Sequence, residues 1–292
     1  MTWIAFTVLA ALCQSWRNAF QSQLSSSLSV AGTTLSRFIF ASPIALAYLV
    51  FLYQIFPTTI PNFTLVFAFY VSAASAMQIV ATGLMVLLFK QQNYAIGAGL
   101  AKCEAPMSAL LGVIFFGTAL SFTGWVGVIL GTVAVLLLSC SSGWRSLSVV
   151  TLALGILCST AFALTSLWVR EASIELSAPF PHSAAWVLLL VITLQTLVIC
   201  SYIALKERDT LNEMRKKPKL IVMTSLTSVL GSLGWFSAMA LQAVPYVKTL
   251  GQIEIVFMAL ISYFWLKQKL KRNEGIALCL IACAAILVMW QQ

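Results

Sequence analysis

Six ionisable side chains interrupt stretches that are otherwise apolar: Arg17, Arg37, Lys102, Glu104, Lys248 and Glu254. Charges kept from water can grip a polar solute or relay a proton. They are also costly, at about 2.5–3.5 kcal/mol each at the centre of a membrane helix even on mild insertion scales. Arg17 and Lys248 fall near the ends of their segments, where a long side chain can snorkel to the interface. The other four lie deeper. Uncharged polar residues recur at helical spacing around them. Gln14, Arg17, Asn18 and Gln21 share one helix face, Thr34 and Arg37 a second, and Ser75, Gln78 and Thr82 a third. Thr224, Ser228, Gly231, Ser232, Trp235 and Gln242 form a longer stripe. Such faces must meet one another or line a wet cavity, although Ser and Thr also serve as plain helix–helix contacts.

Lys102 and Glu104 are two residues apart and would point to nearly opposite sides of a regular helix. Pro106 has no N–H for the Lys102 carbonyl, so the helix is expected to loosen there and bring both charges to one cavity. Farther on, Lys248 and Gln252 share a face, and Gly251 and Glu254 share another. Gly251 would allow a close approach by a neighbour. Four basic groups against two acidic ones favour an anionic or zwitterionic solute. Trp235 would equally suit a cationic or aromatic one. The expected binding or coupling set is Arg17, Asn18, Arg37, Gln78, Lys102, Glu104, Trp235, Lys248, Gln252 and Glu254, with either glutamate a candidate proton carrier.

Other chemistry has little to stand on. There is no H-E-x-x-H, no G-x-S-x-G, and no Asp or His inside an apolar run. The one histidine, His182, is expected in a loop. Cys279 and Cys283 share a helix face but have no His or acid beside them, a poor metal site. No catalytic residue, metal or cofactor is expected, and a membrane enzyme or a non-transporting membrane scaffold ranks behind a transporter.

These residues need apolar helices to hold them. Of 292 residues, 61% are hydrophobic and 9% charged, and the mean hydropathy is +0.97. A water-soluble core cannot hide that much apolar surface, whereas lipid can absorb it. Ten spans are expected, near 2–21, 30–53, 63–89, 94–116, 119–140, 147–169, 183–205, 219–242, 246–266 and 273–291. They leave no room for a soluble domain, and the first lacks the basic leader of a cleavable signal peptide. The formal charge of +9 does not point to nucleic acid, because its basic residues sit in short loops. Lys90, Arg145, Lys206, Arg208, Arg215, Lys216, Lys217, Lys219, Lys267, Lys269, Lys271 and Arg272 fall on one side, and Arg170 alone on the other. Positive-inside bias makes the first side cytoplasmic and places both termini outside. The expected setting is the cell membrane, the inner one in a bacterium, with the protein a monomer or homodimer.

An internal repeat is hinted at. Glu104 and Glu254 stand 150 residues apart near the middle of their spans, and Leu12-Cys13 echoes Leu157-Cys158. Halves at 1–145 and 146–292 would hold five spans each, and an odd number forces opposite insertion.

Four stretches carry a family likeness: 16–21 (WRNAFQ), 33–38 (TTLSRF) on to Pro43, 99–106 (GLAKCEAP) and 246–254 (YVKTLGQIE). Through them the whole chain resembles the drug/metabolite transporter superfamily, in its ten-helix EamA-type branch. The resemblance implies an all-α membrane fold of two inverted five-helix repeats around a central cavity. It also implies alternating access, commonly for export of amino acids or other metabolites. The pattern differs at Gly117-Thr118 and Lys267-Gln268, where the family usually has Gly-Glu, and in lacking basic residues after the second helix.

Overall fold

The computed structural model describes residues 2–91, 101–139, 148–264 and 272–289. These are all helical or in short connections. In chain order the helices are α1 (Thr2–Ser25), α2 (Val30–Phe38), α3 (Ala41–Ile55), α4 (Leu65–Gln91), α5 (Glu104–Phe116) and α6 (Phe122–Ser139). There follow α7 (Val149–Glu175), α8 (His182–Lys206), α9 (Arg208–Arg215), α10 (Pro218–Leu241), α11 (Val244–Gly251), α12 (Glu254–Phe264) and α13 (Arg272–Met289).

Among the described residues, five segments are long and apolar enough to cross a membrane: Val30–Ile55, which joins α2 to α3, Leu65–Lys90, Val149–Glu175, His182–Lys206 and Pro218–Leu241. Glu104–Phe116, Phe122–Leu137 and Cys279–Met289 are apolar but shorter. Phe51, Phe69, Phe115 and Leu197 are each more than half exposed on the outside of the bundle. Side chains of that kind suit lipid contact and would be a liability in water. The expected span boundaries within 92–100, 140–147 and 265–271 lie outside the described residues, as do the basic residues Arg145, Lys267, Lys269 and Lys271.

Local chemistry sets the helix ends. Ser29, Thr64, Ser121 and Ser148 each accept a backbone N–H with the side-chain oxygen, from Gly32, Phe67, Gly124 and Thr151 respectively, which satisfies a donor left over in a first turn. Gly117 ends α5 in the left-handed region at φ 60°, and Thr118 N–H reaches back to Gly112 O at 2.9 Å, a stop that glycine adopts without strain. Pro43 cannot donate to Ile39 O, and the α2–α3 segment breaks just before it. The freed groups find partners: Phe40 N–H donates to Ser225 Oγ at 3.1 Å, and Thr196 Oγ1 donates to Phe38 O at 3.2 Å.

Two long pairings organise the bundle. α1 lies along α10, and α4 along α7. The first is tight because of Gly234: a Cβ there would stand 2.7 Å from Phe6 O and 2.9 Å from Ala10 Cβ. The main core runs from Trp3 and Ala10 of α1 through Phe236 and Met239 of α10 to Leu188 of α8. A second cluster gathers Leu24, Leu28, Phe38, Ile203, Met214 and Ile221 at the end that carries the basic loops.

Three expectations are corrected. The stretch 206–219 is not a plain turn but holds α9, an amphipathic helix with Thr210 and Met214 buried. Arg170 is not in a loop. It lies in α7, and its Nη1 donates to Met239 O at 2.7 Å and Gln242 O at 2.6 Å, closing the last turn of α10. His182 is the first residue of α8, 2% exposed, with its ring edge-on to Tyr53 at 4.8 Å.

Gly234→Val should lower stability by about 1–3 kcal/mol through overpacking, whereas Gly231→Ala should be tolerated, its nearest neighbour being Cys13 Cβ at 3.5 Å. Thermal melting of the purified variants in one detergent checks both.

Candidate functional site

The site is built at two helix breaks. Between Ala101 and Glu104 the helix opens at Lys102 and Cys103, and between Gly251 and Glu254 it opens at Gln252 and Ile253. Pro106 accounts for the first break. The second has no proline; the chain tightens instead, with Gln252 N–H bonded to Thr249 O and Ile253 N–H to Leu250 O. Each break leaves a carboxylate as the first residue of the following helix, Glu104 on α5 and Glu254 on α12. There the helix dipole favours negative charge. Lys248 sits in the last turn of α11, where the dipole favours a cation.

The breaks bring four charges together. Glu254 is 0% exposed. Its Oε1 accepts from Asn18 Nδ2 at 2.8 Å, and its Oε2 accepts from Gln14 Nε2 at 2.6 Å and from Lys102 Nζ. Glu104 lies 4.0 Å from Lys102 Nζ and accepts from Lys248 Nζ at 3.4 Å. Lys248 also rests over the Trp235 ring, 4.4 Å from its centroid, a cation–π contact. Trp235 Nε1 donates to Gln14 Oε1 at 2.8 Å, and the ring fills the space that Gly251 leaves without a side chain.

Beside this quartet lies a cavity of about 40 Å³, room for only a few waters. Its polar wall includes Arg17, Arg37, Gln78, Lys102, Glu104 and Lys248, and its apolar wall Met85, Phe162, Phe236 and Met239. Arg37 is 3% exposed. Its Nη1 donates to Thr82 Oγ1 at 2.8 Å, and its Nε has no partner among the described residues. Arg17, 1% exposed, donates through Nε and Nη2 to Asn18 Oδ1. Gln78 Oε1 accepts from Gln195 Nε2 at 2.7 Å.

Nine of the ten expected residues therefore cluster here: Arg17, Asn18, Arg37, Gln78, Lys102, Glu104, Trp235, Lys248 and Glu254. Asn18 and Arg17 are neighbours on the cavity wall, while Glu254 stands directly behind it. Gln252 departs from the set. Its amide lies against Gly131 of α6 and does not line the cavity. Arg17 and Lys248 do not snorkel, being 1% and 7% exposed. Gln14, Gln195, Thr165 and Ser166, which the expected set leaves out, complete the site. The stripe on α1 pointed to Gln14, but isolated Gln, Thr and Ser residues on α7 and α8 carry no signal that sets them apart from packing residues. Among the described residues no three His, Cys, Asp or Glu side chains converge as a metal site would require.

No family model matches the chain, and no curated protein does. Several solved structures are similar to the chain; one of them, a crystal structure of a protein, shares 15% identity over 99% of this chain and 96% of that one, with a TM-score of 0.74. That likeness concerns the fold alone.

Lys102→Met should destabilise the protein by about 3–5 kcal/mol, since it leaves Glu254 charged and buried without its cation. The double variant Lys102→Met/Glu254→Gln should be more stable than Lys102→Met alone. Melting curves of the wild type, both single variants and the double variant decide the point, and additive losses would show that the pair is not coupled.

Proposed function

We propose that the chain is a secondary transporter that carries a small polar metabolite, an amino acid or an organic anion, across a membrane by alternating access. The observation that carries this reading is the buried, charge-lined cavity between two broken helices. Intramembrane charges facing a cavity mark solute or ion paths, and discontinuous helices with backbone ends turned to the site recur in secondary transporters.

The proposal includes ten spans in two inverted halves, 1–145 and 146–292, as in the drug/metabolite transporter superfamily. Two matched features support it. The breaks at Lys102-Cys103 and Gln252-Ile253 stand 150 residues apart with a glutamate after each. The pairing of α1 with α10 has a counterpart in α4 with α7, as an exchange of halves requires.

A gate fits at the basic end. Ser29 Oγ and Thr210 Oγ1 are 3.3 Å apart, Lys217 Nζ donates to Ser27 Oγ at 2.6 Å, and Lys90 Nζ donates to Leu28 O at 2.8 Å. Beneath them Leu24, Leu28, Phe38 and Met214 form an apolar plug. Access from this end requires α9 and the α1–α2 turn to separate. Among the described residues, a few part-buried or exposed hydrogen bonds and a small apolar cluster resist that, so the motion is inexpensive compared with opening the core.

Cysteines at Ser29 and Thr210 tie the gate shut in the proposed mechanism. With the protein in liposomes and a panel of labelled metabolites inside, oxidation should stop flux and a reductant should restore it. Undiminished flux in fully cross-linked protein would sink the gate, and absence of flux for every metabolite would count against transport itself. Orientation has a separate check. Thr210 is buried and a poor probe, whereas Asp209 is exposed. A cysteine at Asp209 should resist an impermeant reagent applied outside intact cells, and labelling there would place this end outside.

A further inference from the structure

We infer that the solute is an organic anion with no ammonium group, whose carboxylate or equivalent seats on Arg37. The inference rests on the cavity being the solute site of a transporter, and it narrows the solute within that reading.

The acidic groups are already engaged. Glu254 takes Lys102 and two amide donors, has no exposed surface, and stands behind the cavity wall. Glu104 does reach the cavity, yet the ammonium groups of Lys102 and Lys248 lie 4.0 and 3.4 Å from its oxygens. A solute ammonium placed against Glu104 would meet two like charges at close range, a repulsion made stronger by the low local dielectric. Trp235 offers no alternative seat for a cation, because Lys248 already covers its ring.

The two lysines and two glutamates balance one another, which leaves two arginines: Arg17 is held by Asn18 Oδ1 through Nε and Nη2, and Arg37 has one hydroxyl partner. No carboxylate lies within ion-pair distance of it among the described residues. Its Nε points into a buried setting without an acceptor. A guanidinium held by one hydroxyl and lying 5.2 Å from the centroid of the Phe38 ring, with an unused donor beside a cavity, is suited to the oxygens of a planar anion. Binding would also relieve the desolvation cost of the buried charge. Met85, Phe162, Phe236 and Met239, which also line the cavity, favour a carbon skeleton over a bare inorganic anion.

The test uses purified protein in detergent at constant ionic strength. Its probes are the mono- and dicarboxylates from acetate to glutarate, the amine-bearing counterparts glycine, 4-aminobutanoate and 1,4-diaminobutane, and inorganic phosphate. At least one carboxylate should raise the melting temperature, since a ligand of the native state stabilises it. The amines and phosphate should not. Affinity by calorimetry should fall about tenfold or more in Arg37→Gln, with Arg37→Lys in between. Three results overturn the inference: stabilisation by an amine or by phosphate but by no carboxylate, no stabilisation by any carboxylate, or undiminished carboxylate affinity in Arg37→Gln. Should that variant fail to fold, Arg37→Lys and the wild-type ligand ranking decide. Liposome flux separates this inference from the broader reading. Flux of amines without carboxylates overturns the anion and keeps the transporter, whereas carboxylate binding without flux keeps the anion site and overturns transport.

Discussion

A carboxylate with no access to water must be matched where it stands, and Glu254 sets that demand for the whole bundle. Its partners come from two elements far away in sequence, Gln14 and Asn18 on α1 and Lys102 at the break before α5. Satisfying it therefore fixes how α1, α5 and α12 meet. Each partner then imposes its own condition. Lys102 must leave the helical path to reach Glu254, and Gln14 must also hold the Trp235 indole. Trp235 in turn needs the missing side chain of Gly251 and gives Lys248 a face to rest on. The network is nearly saturated, which keeps buried charge tolerable.

The polar face of α1 is legible in the sequence because Gln14, Arg17, Asn18 and Gln21 follow a helical period within an apolar run. The charged residues of the site are legible too, since charge in an apolar segment is too costly to be incidental. The break at Lys102 can be read from Pro106. The break at Gln252 cannot, because no proline marks it. Gln252 lies away from the cavity for a related reason: spacing from Lys248 assumes a regular helix, and the chain turns more tightly between Gly251 and Glu254. α9 escapes a sequence reading because its eight residues carry an amphipathic pattern too short to stand out, and its register is fixed by Met214 packing in the cluster at the basic end.

The central cavity is small for any metabolite of several carbons. A solute must displace side chains to enter, and the long, adaptable ones on the wall, Met85, Met239 and Lys248, are suited to that. In the proposed transporter, selectivity and access would then be set by different parts of the molecule, the fixed charges of the broken helices and the lightly held loops at the basic end.

The pairing of α1 with α10 has a consequence for synthesis. α1 leaves the ribosome well before its partners, with Gln14, Arg17 and Asn18 on one face, and the surfaces that cover that face belong to α10 and α12. Roughly 230 residues must be added in between, which at ~5–20 residues per second takes on the order of 10–45 s. Throughout that interval the Gln14 and Asn18 amides wait in the bilayer for Trp235 and Glu254. The polar face of α1 therefore stays without its native partners until late in synthesis, and α1 is among the last helices to settle.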